Sequence, residues 1–422
     1  MLKPGETVPL TIDKPAAGGR MLARVDGQVV LVAGAIPGER VIARVDRVSK
    51  GVVFADTVEV EAPSPDRRQP FGDPLCGGGV YGYIVYARQL EIKGQIIADA
   101  FKRIGRLELR APVRVAGSPE DGYRMRARLH VRGSRLGFFR ESTHEMCDAR
   151  VTRQLLPATC DALDRLSAAM RSAGLEAVRE IDLSENVDAS DRVVYLDATA
   201  AIDAAALERL AAIEGFTGLA SAFGVYGNAH VTDRLTVAEG ASVALRRHVL
   251  AFFQGNRHLL GQLVAHIVDE TRPDGEVVDL YAGVGIFAVS IAACRGVRVT
   301  AVEGDRHAAA DLAANAAAAA AGSIVAVHQS VERFLESTRL KLDLRAGTIV
   351  VDPPRSGLSR EALDGALRLN PPRLIYVSCD VATLARDARR MVDAGYAIDR
   401  ADAFDLFPNT PHVETVVVFT RR

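Results

Sequence analysis

Residues 1–60 alternate short apolar-rich runs with turn signals. Met21-Leu22-Ala23-Arg24-Val25, Val29-Val30-Leu31-Val32 and Arg40-Val41-Ile42-Ala43-Arg44-Val45 are punctuated by Gly18-Gly19, Asp26-Gly27 and Pro37-Gly38. Strands spaced in this way predict a small β-barrel. Residues 61–79, from Ala62-Pro63-Ser64-Pro65 through Cys76-Gly77-Gly78-Gly79, lose the alternation and read as a linker or irregular loop. A helix is predicted over about 84–104. In the stretch that follows, Arg124, Arg126 and Arg128 alternate with Met125, Ala127 and Leu129. At the period of a strand this puts the arginines on one face. Gly133-Ser134 then makes a turn, and Arg135 to Arg140 runs back with Phe138 and Phe139.

From about residue 241 the pattern changes to apolar strands separated by alanine-rich helices. The strand candidates are Val277 to Leu280, Val297 to Val302, Ile324 to Val327, Thr348 to Val351, Leu374 to Val377 and Val413 to Thr420; the run Ala308 to Ala321 is nearly pure alanine. Such alternation predicts an α/β domain with a largely parallel sheet. The chain therefore divides into a barrel (1–60), a linker with a central α+β domain (61–240) and an α/β domain (241–422). No repeat of the solenoid kind is present.

Composition narrows the class. A length of 422 residues fits two or three domains. No uninterrupted apolar run reaches the ~18 residues of a membrane helix. Met1 to Leu10 lacks the apolar core of a signal peptide, so the protein is read as cytoplasmic. The five cysteines (Cys76, Cys147, Cys160, Cys294 and Cys379) are odd in number, scattered and without a C-x-x-C pair. They predict free thiols rather than a disulfide framework or a zinc site. A net charge of −1 makes no global case for nucleic acid, but local distribution is what a phosphate backbone feels. A basic hairpin with aromatics would track phosphates and stack bases, or would be the solvated face of an ordinary sheet.

Four motifs carry chemistry. Asp279-Leu280-Tyr281-Ala282-Gly283-Val284-Gly285 follows a predicted strand and opens a helix. Its glycines allow a tight turn and a close approach to a ligand. A second strand ends in Glu303, twenty residues after Gly283, the spacing of a carboxylate that binds ribose hydroxyls. The pair points to a nucleoside-containing cofactor without separating NAD from S-adenosylmethionine. A third strand ends in Asp352-Pro353-Pro354-Arg355, where two prolines stiffen the carboxyl edge of the sheet. A fourth ends in Ser378-Cys379-Asp380, ahead of a predicted helix Ala382 to Ala394 with Thr383 as its cap. A thiol there is either a buried core cysteine or a nucleophile whose pKa the helix lowers. Finally, His412-Val413-Glu414 opens the last strand, where the acid is either a base or a solvated edge.

Taken together, these motifs resemble the RNA uracil-C5 methyltransferase family, and the similarity spans nearly the whole chain. It includes Pro37-Gly38-Glu39 in the barrel, Tyr123 to Arg128 in the centre, and Phe252-Phe253-Gln254-Gly255-Asn256 at the entrance of the last domain. The resemblance implies a TRAM barrel, a central RNA-binding domain and a Rossmann-like class I methyltransferase domain. It implies S-adenosylmethionine contacts at Gln254, Tyr281, Glu303 and Asp352, Cys379 as nucleophile and Glu414 as base. Asp352 and Arg355 would help hold the uracil. With RNA as partner, Arg124, Arg126 and Arg128 become RNA grips; nothing demands more than a monomer.

Three positions depart from the family pattern. Many members hold an iron–sulfur cluster on four cysteines. Here Cys76 keeps one position, Gly79 replaces the next, Pro70 stands near the first, and Cys147 precedes Thr152, which would align with the fourth. No cluster is expected, and no metal. Ile286 replaces a common Asn, and Asp380 replaces the Asn that usually follows the nucleophile. A negative charge at 380 would raise the thiol pKa. Two other readings stand beside this one. An RNA cytosine-C5 methyltransferase would carry a second cysteine where Arg355 stands. A non-catalytic RNA-binding or RNA-folding protein would have no use for Cys379 and Glu414.

Overall fold

In a computed structural model, which describes residues 2–133, 135–140, 143–238, 241–319, 323–338 and 346–422, strands β1 (Thr7–Pro15), β2 (Met21–Val25), β3 (Gln28–Ala33), β4 (Arg40–Ser49) and β5 (Val52–Ala62) close into a barrel. Alternation makes it: Val8, Leu10 and Ile12 point inward while their neighbours stay exposed.

Helix α1 (Tyr86–Ala100) continues into a π-helical turn, Phe101–Gly105, and leads to the short strand β6 (Arg114–Ala116). The central sheet has the order β13-β12-β11-β10-β7-β8-β9. Its strands are β7 (Arg126–Arg132), β8 (Arg135–Phe139), β9 (Met146–Asp148), β10 (Val178–Glu185), β11 (Arg192–Ala198), β12 (Gly218–Ser221) and β13 (Gly224–Gly227), with helices α2 (Pro157–Ser172) and α3 (Ala204–Ala211). Leu129, Leu163, Leu166, Ile181, Leu183 and Leu207 share one core, so both helices cover one face of this sheet. The hairpin β7–β8 forms as the sequence predicts, pairing Arg132 with Arg135. Ser134, Ala320 and Ala321 lie outside the described residues. A separate hairpin, β14 (His230–Ala238) with β15 (Ala241–His248), precedes the last unit.

That unit contains α4 (Leu260–Glu270), β16 (Glu276–Leu280), α5 (Ile286–Arg295), β17 (Val299–Glu303), α6 (Arg306–Ala318), β18 (Ile324–His328), α7 (Val331–Thr338), β19 (Ala346–Val351), α8 (Arg360–Arg368), β20 (Arg373–Ser378), α9 (Val381–Asp393), β21 (Tyr396–Phe404) and β22 (Glu414–Arg421). The eight-stranded order is β18-β17-β16-β19-β20-β22-β21-β6. The first five strands are parallel, and β22 runs antiparallel to both β20 and β21. Burial on both faces explains the near-continuous apolar runs of β16, β19 and β20. At its edge β6 pairs in parallel with β21, so a segment that reads as central in sequence completes this sheet instead.

The expectation of free thiols fails at two positions: Cys76 and Cys147 form a disulfide, while Cys160, Cys294 and Cys379 remain free. The Pro- and Gly-rich segment is not an open loop. It folds back on the central sheet through a Cys76–Arg140 bridge and the Gly77 N–H to Phe139 carbonyl hydrogen bond (3.3 Å). This brings the two Cα atoms to 5.9 Å, within the reach of a disulfide. No helix among the described residues is long and apolar enough to cross a membrane.

Candidate active site

The carboxyl ends of β16, β17, β19 and β20 open on one crevice, the usual ligand site of an open parallel sheet. At the end of β16 the chain turns sharply, with Tyr281 in the left-handed region (φ 63°), where a bulky side chain is strained. Gly283 and Gly285 continue the turn at positive φ, and a Cβ on Gly285 would lie 2.7 Å from Leu312 Cδ1. The positive φ of both residues is a conformation that glycine adopts without strain. Glu303, the last residue of β17, accepts the Gly283 N–H through Oε2 at 2.8 Å. The sequence-predicted glycine turn and ribose acid are therefore in direct contact. Below them, buried Asp279 accepts the Ala288 N–H (3.1 Å), and its Oδ1 has no partner among the described residues. Ile286, the first residue of α5, is buried in the core.

Asp352 follows β19, and the Gln254 amide donates to its Oδ2 at 3.1 Å. Burial pushes the Asp352 carboxyl up to about 7, the Gln254 hydrogen bond opposes this, and the nearby Glu303 charge adds to it. Tyr281 lies beside Glu332, and burial and that carboxylate both push its phenol up. The four residues that the resemblance assigns to the cofactor are thus near neighbours: Gln254 bonds to Asp352, and the Glu303 charge acts on both Asp352 and Tyr281.

Cys379 and Glu414 meet across a strand pair. Ser378 on β20 is the register partner of Thr415 on β22, so the next residues along, Cys379 and Glu414, are cross-strand neighbours. Glu414 is buried, and burial first and Asp352 second hold its carboxyl well above the usual range, opposed by Arg355. The Cys379 thiol is pushed up to about 11 by burial and then by Glu414; Arg355, hydrogen-bonded to it, acts in the opposite direction. The expectation that α9 lowers this thiol is overturned. Burial dominates, and the helix N-terminus is already occupied. Asp380, not Thr383, is the N-cap, accepting the N–H groups of Ala382 (3.0 Å) and Thr383 (2.8 Å). The Asp380 carboxylate is thus directed at the helix N-terminus. Helix α9 also holds the Asp-Pro-Pro-Arg loop, because Asp387 accepts the Leu358 N–H (3.0 Å) and Arg386 donates to the Ser356 carbonyl (3.2 Å).

Relatives match this chain over most of their length. A 23S rRNA (uracil(1939)-C(5))-methyltransferase of Methylococcus capsulatus is 31% identical over 437 residues, covering 99% of this chain and 98% of the relative. One from Halomonas elongata is 33% identical, with 97% and 88% covered. The chain belongs to the RNA uracil-C5 methyltransferase family. The family described as tRNA (Uracil-5-)-methyltransferase matches residues 224–422, and the TRAM domain matches residues 2–58. In fold the chain is similar to a tRNA (uracil-54, C5)-methyltransferase of Pyrococcus abyssi, with TM-score 0.76, 23% identity, and 97% and 99% of the two chains covered.

In this methyltransferase the alternation at 124–129 sets the predicted faces: Met125, Ala127 and Leu129 are buried, and the three arginines lie opposite. They are not equivalent. Arg128 is ion-paired with Asp182 (3.1 Å), and Arg124 donates to Gln154 (2.6 Å). Arg126 makes no ion pair among the described residues, although the Asp182 charge acts on it. Its guanidinium lies 5.8 Å from the ring centre of Phe252, which is 62% exposed. Sequence reasoning passed over Asp387, whose role shows only in its contacts. Among the described residues no group of three or more His, Cys, Asp or Glu is placed to hold a metal ion.

Proposed function

We propose that this methyltransferase methylates C5 of a uridine in transfer or ribosomal RNA, with S-adenosylmethionine as cofactor, Cys379 as nucleophile and Glu414 as base. The observation that carries the reading is the nearness of Cys379 and Glu414, one residue beyond the Ser378–Thr415 register pair, with Asp352 acting on both and Glu303 acting on Asp352. The crevice residues fit the cofactor: carboxylates and the Gln254 amide suit a cationic sulfonium and amine as well as ribose hydroxyls. When bound, S-adenosylmethionine supplies an electrophilic methyl group.

The chain's own residues do the rest. C5 of uracil is a weak nucleophile. Addition of the Cys379 thiolate to C6 makes the ring enolate-like, so that C5 can take the methyl group in line. Arg355, beside the thiol, favours its thiolate. Glu414 then accepts the C5 proton, the C6–S bond breaks, and the thiolate is restored. The base must leave its stack to reach Cys379. The barrel (1–60) and the central domain (61–240) are proposed as the RNA grips of the catalytic domain (241–422), with Arg124, Arg126 and Arg128 on the RNA-facing side.

The test is methyl transfer from labelled cofactor to RNA lacking 5-methyluridine, with wild type and Cys379→Ala compared and the digested nucleosides read by mass spectrometry. Label in 5-methyluridine with wild type alone supports the reading. Label in 5-methylcytidine, or none with RNA that the protein binds, overturns it.

A further inference from the structure

Glu414 is reached from β21 through the turn at residues 405–413, and this turn is held from outside the catalytic domain's own sequence. Gln89 and Lys93 are one helical turn apart on α1, and both are completely buried. Lys93 Nζ lies 2.5 Å from Asp405 Oδ1, an ion pair with neither side chain exposed, and also donates to the Phe407 carbonyl at 3.1 Å. The same carbonyl accepts the backbone N–H (3.2 Å) and the hydroxyl (2.8 Å) of Thr410. Asn409, in the left-handed region at φ 63°, is held at its side-chain oxygen and at both backbone polar groups. Its Oδ1 accepts from Gln89 (2.9 Å) and Arg68 (2.8 Å), its N–H donates to Gln89 Oε1 (3.0 Å), and its carbonyl accepts the Tyr81 N–H (2.8 Å). On the other side lies the barrel, where a Cβ on Gly19 would be 3.1 Å from Pro411 Cγ.

A buried lysine is a costly way to pack a helix, and apolar side chains of similar size would fill the same space. What apolar side chains would not supply is direction: the ammonium and the amide fix backbone groups of the turn at defined points. The chain between Asn409 and Glu414 is too short to absorb a shift there.

We infer that Lys93 and Gln89 are positioning residues that set Glu414 against the substrate by clamping the turn at 405–413. This rests on the reaction proposed above. It adds that α1, which lies between the barrel and the RNA-facing sheet in sequence, governs the proton-removal step and not adduct formation. Cys379 lies between β20 and α9; α1 packs against α9, but among the described residues neither Lys93 nor Gln89 hydrogen-bonds to β20 or α9. The two halves of the reaction are therefore separable by mutation.

The test compares wild type, Glu414→Gln, Gln89→Leu and the charge-neutral pair Lys93→Met with Asp405→Asn, each with RNA and S-adenosylmethionine. Two quantities are read on folded protein: 5-methyluridine formed per minute and the fraction of protein covalently bound to RNA on denaturing gels. A displaced base slows release of a formed adduct. The expected result is turnover down about 100-fold with adduct several-fold above wild type, as in Glu414→Gln. Turnover and adduct that fall together, or that both stay at wild-type levels per folded molecule in both variants, overturn the inference. Gln89→Leu leaves the ion pair intact, so a fold lost in the double variant does not decide the outcome. A wild type that forms no 5-methyluridine contradicts the underlying reaction instead, and is told apart by that single control.

Discussion

Cys379 and Glu414 are cross-strand neighbours because Ser378 and Thr415 pair in register between β20 and β22. Glu414 makes the thiol harder to ionise: it is the second cause, after burial, of the raised Cys379 thiol. The resting site therefore holds its nucleophile as a thiol, and ionisation is part of the barrier to reaction.

This sets a pH dependence. A thiol pushed up to about 11 is a minor thiolate at neutral pH, and its thiolate fraction grows with each unit of pH below that value. The value of kcat/KM is predicted to rise about tenfold per unit between roughly pH 7 and 9. Arg355→Gln, which removes the opposing charge, should lower it further, by about tenfold. A profile already flat at pH 7 would contradict the raised thiol.

Asp352 carries a stability prediction. Its carboxyl ordinarily titrates at 3.8 and is raised to about 7 in the fold, mainly by burial. Its contribution to stability is present in full below the unfolded value and is lost as pH rises through about 7. Asp352→Asn has no such loss. It should melt above wild type, by a gap that widens from pH 5 to pH 8 to roughly a few degrees. The same variant should bind S-adenosylmethionine more weakly. Thermal melts at both pH values, with and without cofactor, check both statements.

Asp380 serves as a helix cap, so its charge should matter little to catalysis. Asp380→Asn preserves the cap and should leave kcat/KM within about twofold, whereas Asp380→Ala should cost about 1 kcal/mol of stability. A large gain in kcat/KM for the asparagine variant would show that the carboxylate does act on the thiol.

The Cys76–Cys147 bond closes a loop with a sequence separation of 71 residues. In the chain-entropy picture that constraint contributes about 4 kcal/mol. Cys147→Ser, or a reducing agent, should lower the urea midpoint by a corresponding amount. An unchanged midpoint would mean that the bond adds nothing to stability in solution.

Features with a local signature were legible in the sequence. Val277-Val278 and Ile349-Val350-Val351 announce buried parallel strands, and Arg124, Arg126 and Arg128 declare their face by period alone. Contacts between distant residues carry no such mark. Strand β6 spans Arg114–Ala116, too short for a pattern, and its partner β21 comes near the end of the chain. Lys93 reads as a solvated helix position until Asp405, 312 residues later, is folded onto it. Cys76 and Cys147 follow no spacing rule, and only the folded-back linker brings them together. At the start of α9 both Asp380 and Thr383 are capping residue types. Backbone geometry chose Asp380, which has extended dihedrals (φ −121°, ψ 106°) just before the first helical residue.

The most direct test of the central claim is to trap the Cys379 adduct. In RNA with 5-fluorouridine for uridine, the position that Glu414 would deprotonate carries fluorine, which a base cannot remove, so the adduct should persist. Wild type with S-adenosylmethionine should then give a denaturant-resistant protein–RNA complex, and mass spectrometry of its digest should place one methylated fluorouridine on the peptide containing Cys379. Attachment at another residue, or no adduct from a protein that turns over ordinary RNA, would contradict the account.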